Sequence, residues 1–111
     1  MENDTVQQPL ECTDRCPVEK TISVLGGRWK PLILFHILEK PQRFNALCRL
    51  IPRATRRMLT QHLRELESDG IIDRKIFDKV PPHVEYSLSE KGRTLIPILL
   101  AMADWGSEGD S

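Results

Sequence analysis

Apolar residues in the first third of the chain recur at helical spacing and predict two consecutive helices. The first begins at Pro17, with Cys16 as its N-cap, and Gly26-Gly27 end it. The second spans about 29–39, and Pro31 falls in its first turn, where proline is tolerated. Because this second helix is apolar nearly all round, we expect it to lie in the centre of the core.

Two further helical segments follow and resemble a helix-turn-helix. A short third helix is predicted over about 45–51, with Phe44 packing against its start. Its inward-facing residues are Leu47, Leu50 and Ile51. After the break at Pro52-Arg53-Ala54, Thr55 is a good N-cap for a fourth helix, and Gly70 is a good stop. Two short helices joined by such a turn form the helix-turn-helix pattern.

Two strand-like runs come directly after the fourth helix, at 72–77 and 84–88. In the second run, apolar residues alternate with Glu85 and Ser87, which is the period of a half-buried strand. The intervening residues include Pro81-Pro82, which exclude further ladder pairing there. The segment is therefore predicted to be a β-hairpin, and a helix-turn-helix followed by a hairpin is a winged helix.

The last helix is predicted from about Ser89 to Trp105-Gly106 and has too many apolar faces for a surface helix. We expect it to form a homodimer interface, although a helix buried wholly within its own chain has the same pattern. The residues expected at the interface are Leu95, Ile98, Leu99, Met102 and Trp105. The predicted fold is α+β and mainly α: a winged helix-turn-helix over 16–106, with a two-stranded wing, terminal dimerisation helices, an N-terminal arm at 1–15 and a tail at 107–111.

Length and composition agree with one compact domain. The chain has 111 residues, of which 40% are hydrophobic and 29% charged. The start MENDT is acidic where a secretory signal needs bases, and the run LIPILLAMA is too short to cross a bilayer. We therefore expect a cytoplasmic protein with no membrane partner.

The charge is laid out unevenly, although the formal net charge is zero. Residues 40–64 contain seven lysines and arginines and no Asp or Glu, whereas acids predominate near both ends of the chain. Such a basic zone predicts an anionic partner for the middle of the chain.

The fourth helix divides into two faces at 100° per residue. The apolar back carries Met58, Leu59, His62, Leu63 and Leu66. The front carries Arg56, Arg57, Thr60, Gln61 and Arg64. These side chains suit base edges and phosphates in a DNA major groove.

The charges at the two ends of this helix are reversed relative to the helix dipole. Arg56 and Arg57 lie in the positive first turn, and Glu65, Glu67 and Asp69 lie near the negative end. Each placement disfavours the helix by ~0.3–1 kcal/mol. A positive N-terminal end is useful where it meets phosphate, and the recognition helices of many helix-turn-helix proteins enter the groove at that end.

We therefore predict binding to double-stranded DNA at a palindromic operator. The expected contacts are Arg53, Thr55, Arg56, Arg57, Thr60, Gln61 and Arg64, with Arg74, Lys75 and Lys79 from the wing. If the fourth helix is considered alone, the alternative to DNA binding is that its charged face is simply exposed to solvent. A winged helix used only for protein contact is the alternative for the domain, and it would lack steep salt dependence.

The three cysteines do not indicate a disulfide scaffold or a zinc site. Cys16, at a helix N-cap beside Arg15, is the candidate redox sensor, because such surroundings favour the thiolate. The neighbouring acids Asp14 and Glu19 oppose this effect. Cys48 is expected in the core, and either Cys48 or Cys12 is a candidate disulfide partner of Cys16.

The residues leave two other functions to consider. A small thiol enzyme is disfavoured, since no C-x-x-C motif, acid–base pair or phosphate loop is present and no cofactor is implied. A metal-responsive winged helix would use Cys12, Cys16 and a histidine.

Four segments together resemble the HxlR-type bacterial regulators, relatives of MarR. They are CPVEKTISVLGGRWKPLIL, RFNALCRLIP, RRMLTQHLRELESDGII and VPPHVEYSLSEKGRTLIPIL, and the resemblance covers Cys16 to Gly106. It implies a dimeric winged-helix protein, often a repressor, that dimerises through terminal helices and binds operator DNA. In some members of the family, the cysteine matching Cys16 senses electrophiles, quinones or oxidants.

The sequence departs from the family pattern at two places. The turn before the fourth helix reads Pro52-Arg53-Ala54-Thr55, which keeps the cap and adds a charge able to meet phosphate. Pro31 also stands where the family often has another residue. These departures bear on which operator is bound rather than on the fold.

Overall fold

The computed structural model describes residues 16–109. The predicted arm at 1–15, with Cys12, lies outside the described residues. The helices are α1 Pro17–Leu25, α2 Lys30–Ile37, α3 Phe44–Leu50, α4 Arg56–Ser68, α5 Glu90–Arg93 and α6 Ile96–Gly109. The strands are β1 Gln42–Arg43, β2 Ile72–Phe77 and β3 His83–Leu88. This mainly helical α+β arrangement with a small antiparallel sheet is the winged-helix architecture, so the predicted fold class is confirmed.

The core is built mainly from one side of α2 and the backs of α3 and α4. Its fully buried side chains are Ile33, Leu34, Ile37, Leu47, Leu59, Leu63, Leu66, Ile71 and Ile72. As expected, α2 lies in the centre of the core and packs against α1, α3, α4 and α6, although its Leu32 and Phe35 are partly exposed. The prediction that Leu50 faces inward was wrong, because Leu50, the last residue of α3, is exposed; Ile51, which was also predicted to face inward, is buried.

The sheet has one strand more than the two predicted. Its order is β1-β3-β2, and all pairs are antiparallel. The wing register sets Ile72 opposite Leu88 at the base and Phe77 opposite His83 at the far end. The two residues of β1 pair with Tyr86 and Glu85, which fastens the start of α3 to the wing.

The predicted last helix is two helices, separated at Thr94-Leu95. Pro97 explains the break, because its ring opposes a helical carbonyl four residues earlier and restrains the residue before it. The second helix extends to Gly109 rather than ending at Gly106. The first is capped by Ser89, whose Oγ accepts a hydrogen bond from the Gly92 N–H at 2.9 Å.

Gly92 is expected to be intolerant of a side chain. A Cβ at this buried position would overlap the carbonyl oxygen of Ile71. We expect Gly92→Ala to cost about 1–3 kcal/mol and to lower Tm by roughly 10 °C, measured by thermal unfolding. Gly106→Ala is the control, because nothing lies within 4 Å of a Cβ there and alanine favours the helix. Equal melting of Gly92→Ala and the unaltered chain would contradict this packing.

Candidate nucleic-acid interface

The rotation of α4 is fixed by its cap and its apolar back. The Thr55 Oγ1 accepts a hydrogen bond from the Met58 N–H at 3.0 Å. Gly70, at φ +76°, ends the helix in a conformation that favours glycine. Leu59, Leu63 and Leu66 are fully buried against the core. The opposite face is therefore turned to solvent, as the sequence predicted.

The polar residues on this face differ in whether they already form hydrogen bonds within the chain. Arg57, Gln61 and Arg64 are exposed. Thr60 is half-buried, and its hydroxyl donates to the Arg56 carbonyl at 2.8 Å. The Gln61 amide donates to Glu65 Oε2 at 3.2 Å. Within residues 16–109, Arg57 and Arg64 make no ion pair, so they are the arginines of this face most available to an anion.

Arg56 is held in place by α3 rather than projecting loosely. Its guanidinium lies 4.9 Å from the ring centroid of Phe44, and Nη1 lies 3.4 Å from Asn45 Oδ1. The same nitrogen is 3.6 Å from the Sγ of Cys48, which is half-buried at the edge of the core rather than within it. These contacts restrict the rotamers of Arg56, which lowers the entropy cost of ordering it on a ligand.

Two of the acids near the end of α4 tie the helix to its neighbours. Glu65 Oε1 is 2.8 Å from the Nζ of Lys30, a residue of α2 that is largely buried. Hydrogen bonds from Lys30 and then Gln61 hold the pKa of the Glu65 carboxyl below its usual value. Glu67 Oε1 is 3.6 Å from Arg74 Nε on β2. These pairs join the recognition helix to α2 and to the wing.

The predicted cations of the wing occupy different surroundings. Arg74 faces α4 through its pair with Glu67, whereas Lys75 lies on the other face of the hairpin, 5.1 Å from the Phe77 ring centroid. Lys79 is exposed in the loop between the strands. Tyr86, opposite Arg74, has a phenol pKa raised by burial. Of the three wing cations, Lys75 and Lys79 are thus the two that form no ion pair within residues 16–109.

Only some of the residues predicted to form the dimer interface are exposed. Trp105 is 80% exposed, and Ile98 and Met102 are also exposed, together with Leu100, which the sequence prediction did not include. Leu99, in contrast, is 2% exposed and packs into the core of its own chain. An apolar groove of about 310 Å³ runs between α2 and α6. Its lining includes Leu32, Phe35 and Met102.

Cys16 lies at the N-cap of α1, as predicted, and is half-buried. Its backbone N–H donates to Glu19 Oε1 at 3.2 Å. Pro17 follows at the first helical position, and α1 packs against α2. The thiol thus sits where a change in its bonding can move the start of α1.

The arrangement of α3, α4 and the wing agrees with a known family of sequences. The family described as HxlR-like helix-turn-helix matches residues 24–110, which is most of the chain. The chain belongs to the HxlR-like family.

Individual relatives agree with this membership. The Bacillus subtilis protein described as the uncharacterized HTH-type transcriptional regulator YdeP is 53% identical over 93 residues, covering 84% of this chain and 73% of YdeP. The redox regulator HypR, solved in its oxidised form, is 53% identical with a TM-score of 0.81, over 84% of this chain and 96% of HypR. The reduced form of YodB from B. subtilis is 35% identical with a TM-score of 0.73, over 85% and 93% of the respective chains.

As an HxlR-like protein, the chain is a helix-turn-helix transcriptional regulator that binds DNA, and it is not an enzyme. Across residues 16–109, no group of three or more His, Cys, Asp or Glu side chains is placed to hold a metal ion. The same part of the chain has no helix long and apolar enough to cross a membrane.

Two residues of the site were missed by sequence reasoning. Lys30 was assigned no role, although a lysine at the start of a largely apolar helix is a signal for a buried ion pair. Asn45, which contacts Arg56, has no distinguishing pattern around it. Residues of α2 and α3 therefore help to hold the side chains of α4 in place, and the pattern of α4 alone does not reveal them.

Proposed function

We propose that this regulator is a homodimeric repressor in the cytoplasm that binds a palindromic operator through α4. The exposed arginines of α4, backed by a buried leucine face, carry the proposal. Arg57 and Arg64 are open to an anion, and Arg56 is preoriented beside them by Phe44. Arg53 and Thr55 extend the contact into the turn, and Lys75 and Lys79 extend it into the wing.

The dimer is supported by apolar side chains that remain exposed on the described residues. On α6 these are Ile98, Leu100, Met102 and Trp105; on α1 they are Val18 and Ile22. Exposed apolar side chains of this kind on a small domain are typical of a protein interface. A dimer would place the two α4 helices in successive major grooves, about 34–36 Å apart.

The proposal is tested by selecting bound fragments from genomic DNA, with the protein reduced in one arm and oxidised in the other. We expect recovered sites with two-fold symmetry and half-sites one helical turn apart. Affinity for such a site should fall steeply as salt rises, because several phosphates are neutralised. Recovery of no enriched sequence, with flat salt dependence, would instead favour a winged helix used for protein contact.

We propose further that oxidants or electrophiles of the quinone class act on Cys16. A peroxide would transfer one oxygen to the thiolate, giving a sulfenic acid and hydroxide; a second thiol, from Cys48 or Cys12, would then condense with it and release water. The likeness to HypR, a redox regulator, supports this chemistry. The packing of α1 on α2, and the Lys30–Glu65 pair, give a physical route from Cys16 to α4.

Cys16→Ser is expected to retain operator binding and lose the response to oxidant. Serine keeps the N-cap and removes the nucleophilic sulfur, so DNA affinity measured before and after peroxide or quinone treatment should no longer change. Cys48→Ser is the matched variant and separates a disulfide from modification of Cys16 alone. If Cys16→Ser responded to oxidant like the unaltered protein, the sensing role would be refuted while the DNA-binding role stood.

A further inference from the structure

A second basic surface lies beside α4, outside the residues predicted to contact DNA. It is an open groove of about 640 Å³ between the chain leading into α3 and the loop of the wing. Three exposed cations line it: Lys40, Arg43 and Arg49. The wall formed by the wing includes Pro81 and Pro82. We name this surface the basic groove.

The described part of the chain leaves the cations of the basic groove without ion pairs. Glu85 is the one acid among its lining residues, and its Oε2 is 3.1 Å from the Nε2 of His83. Glu85 also lies opposite Arg43 in the sheet, without forming an ion pair with it. Within residues 16–109, Lys40, Arg43 and Arg49 have no ion-pair partner. Three cations gathered around one groove repel one another, and a polyanion entering it would relieve that repulsion.

The basic groove is continuous with the N-terminal end of α4. Phe44 and Asn45 line it, and the same two side chains hold the guanidinium of Arg56. A nucleic-acid strand that passes Arg56 would therefore continue directly past the cations of the groove. The wing loop would close over the strand from the opposite side.

We infer that the basic groove holds the sugar–phosphate backbone of one DNA strand flanking the base pairs read by α4. Lys40, Arg43 and Arg49 each neutralise a phosphate, and none of them reads a base. This inference rests on the proposed function, and it assigns the wing loop a clamping role. Phosphate contacts set affinity and position without sequence preference, so the groove should strengthen binding equally on every sequence.

The test is a combined Lys40→Ala, Arg43→Ala and Arg49→Ala variant. In a dimer it removes six phosphate contacts, so the slope of log affinity against log salt should become shallower by about 5. Affinity should fall by the same factor on a duplex carrying the selected operator and on a scrambled duplex of equal length. Hydroxyl-radical cleavage should show lost protection of the backbone flanking the site read by α4.

The matched control removes three cations elsewhere: Lys20→Ala, Lys91→Ala and Arg93→Ala. Lys91 Nζ lies 3.4 Å from the Asp69 carbonyl, beyond the far end of α4, so its loss should leave the salt slope unchanged. A second variant with glutamine at the three groove positions keeps the apolar stems and repeats the measurement if the alanine variant unfolds at a lower temperature.

The outcomes separate the inference from the function on which it rests. If the unaltered protein binds the operator with steep salt dependence and the groove variants keep the same slope and footprint, the basic groove does not hold DNA. If the groove variants lose specificity rather than uniform affinity, the cations read bases and the inference is also wrong. Failure of the unaltered protein to bind any duplex would refute the proposed function itself.

Discussion

Replacing Arg56 and Arg57 together by alanine is expected to abolish operator binding while leaving the domain folded. Both residues lie in the first turn of α4 and are exposed, so neither contributes to the buried core. A dimer would lose four arginines, each worth about 1–3 kcal/mol when it contacts a base edge. We therefore expect affinity to fall at least about 1,000-fold, since each 1.4 kcal/mol is tenfold.

The effect should be one of recognition as well as of charge. The double variant should lose more affinity on the operator than on a scrambled duplex, unlike a variant of the basic groove. Lys20→Ala with Arg93→Ala removes the same charge from α1 and α5 and is the control. Circular dichroism and thermal unfolding establish that the fold is kept. Unchanged operator affinity would mean that α4 does not read DNA, and that the domain serves protein contact instead.

Arg56 itself is expected to contribute through its orientation. Its stacking on Phe44 and its contact with Asn45 belong to α3, so the first helix of the helix-turn-helix supports the second at the point of contact. Cation–π stacking of this kind is worth about 0.5–1 kcal/mol at exposed sites. The sequence identified Arg56 by its position on α4, but the α3 residues that hold it were visible only in the structure.

The spacing of apolar residues predicted the secondary structure correctly wherever a segment was long and one of its faces was buried. Leu59, Leu63 and Leu66 fixed the rotation of α4, and Thr55 and Gly70 fixed its ends. The strand β1 was missed because two residues are too few to display a period. The split between α5 and α6 was not predicted, although Pro97, whose ring opposes the carbonyl four residues earlier, marks it in the sequence.

The acids at the end of α4 change how its reversed charges are interpreted. The sequence suggested that these charges give up helix stability in favour of a positive N-terminal end. The structure adds that Glu65 and Glu67 pair with Lys30 and Arg74, so part of that loss is regained by joining α4 to its neighbours. Partners on other elements cannot be read from helix position alone, because they depend on which side of α2 and β2 faces α4.

On α6, too, the sequence alone does not show which apolar residues are buried within the chain. The sequence grouped Leu99 with the predicted interface, because both apolar faces of the helix look alike in the pattern. Only packing against α2 distinguishes Leu99, which is buried in its own chain, from Leu100 and Trp105, which are exposed. Leu100 and Trp105 are therefore among the positions at which an interface can be disrupted without disturbing the core.

Leu100→Glu combined with Trp105→Glu is expected to convert the proposed dimer into a folded monomer. Both side chains are exposed within one chain, at 45% and 80%, so carboxylates there cost the isolated domain little. In the proposed dimer they would be buried without partners, which is unfavourable enough to separate the chains. Sedimentation should report a single chain for the variant and two chains for the unaltered protein.

Loss of the dimer should also weaken operator binding by roughly 10²–10⁴-fold, because the second half-site is then no longer engaged at high effective concentration. Ile76→Glu is the control for association, since Ile76 is 58% exposed but lies on β2, away from α6. If the α6 variant remained dimeric at the same concentration as the unaltered protein, the interface would have to lie on another surface. Monomers with undiminished operator affinity would instead show that recognition needs only one copy of α4.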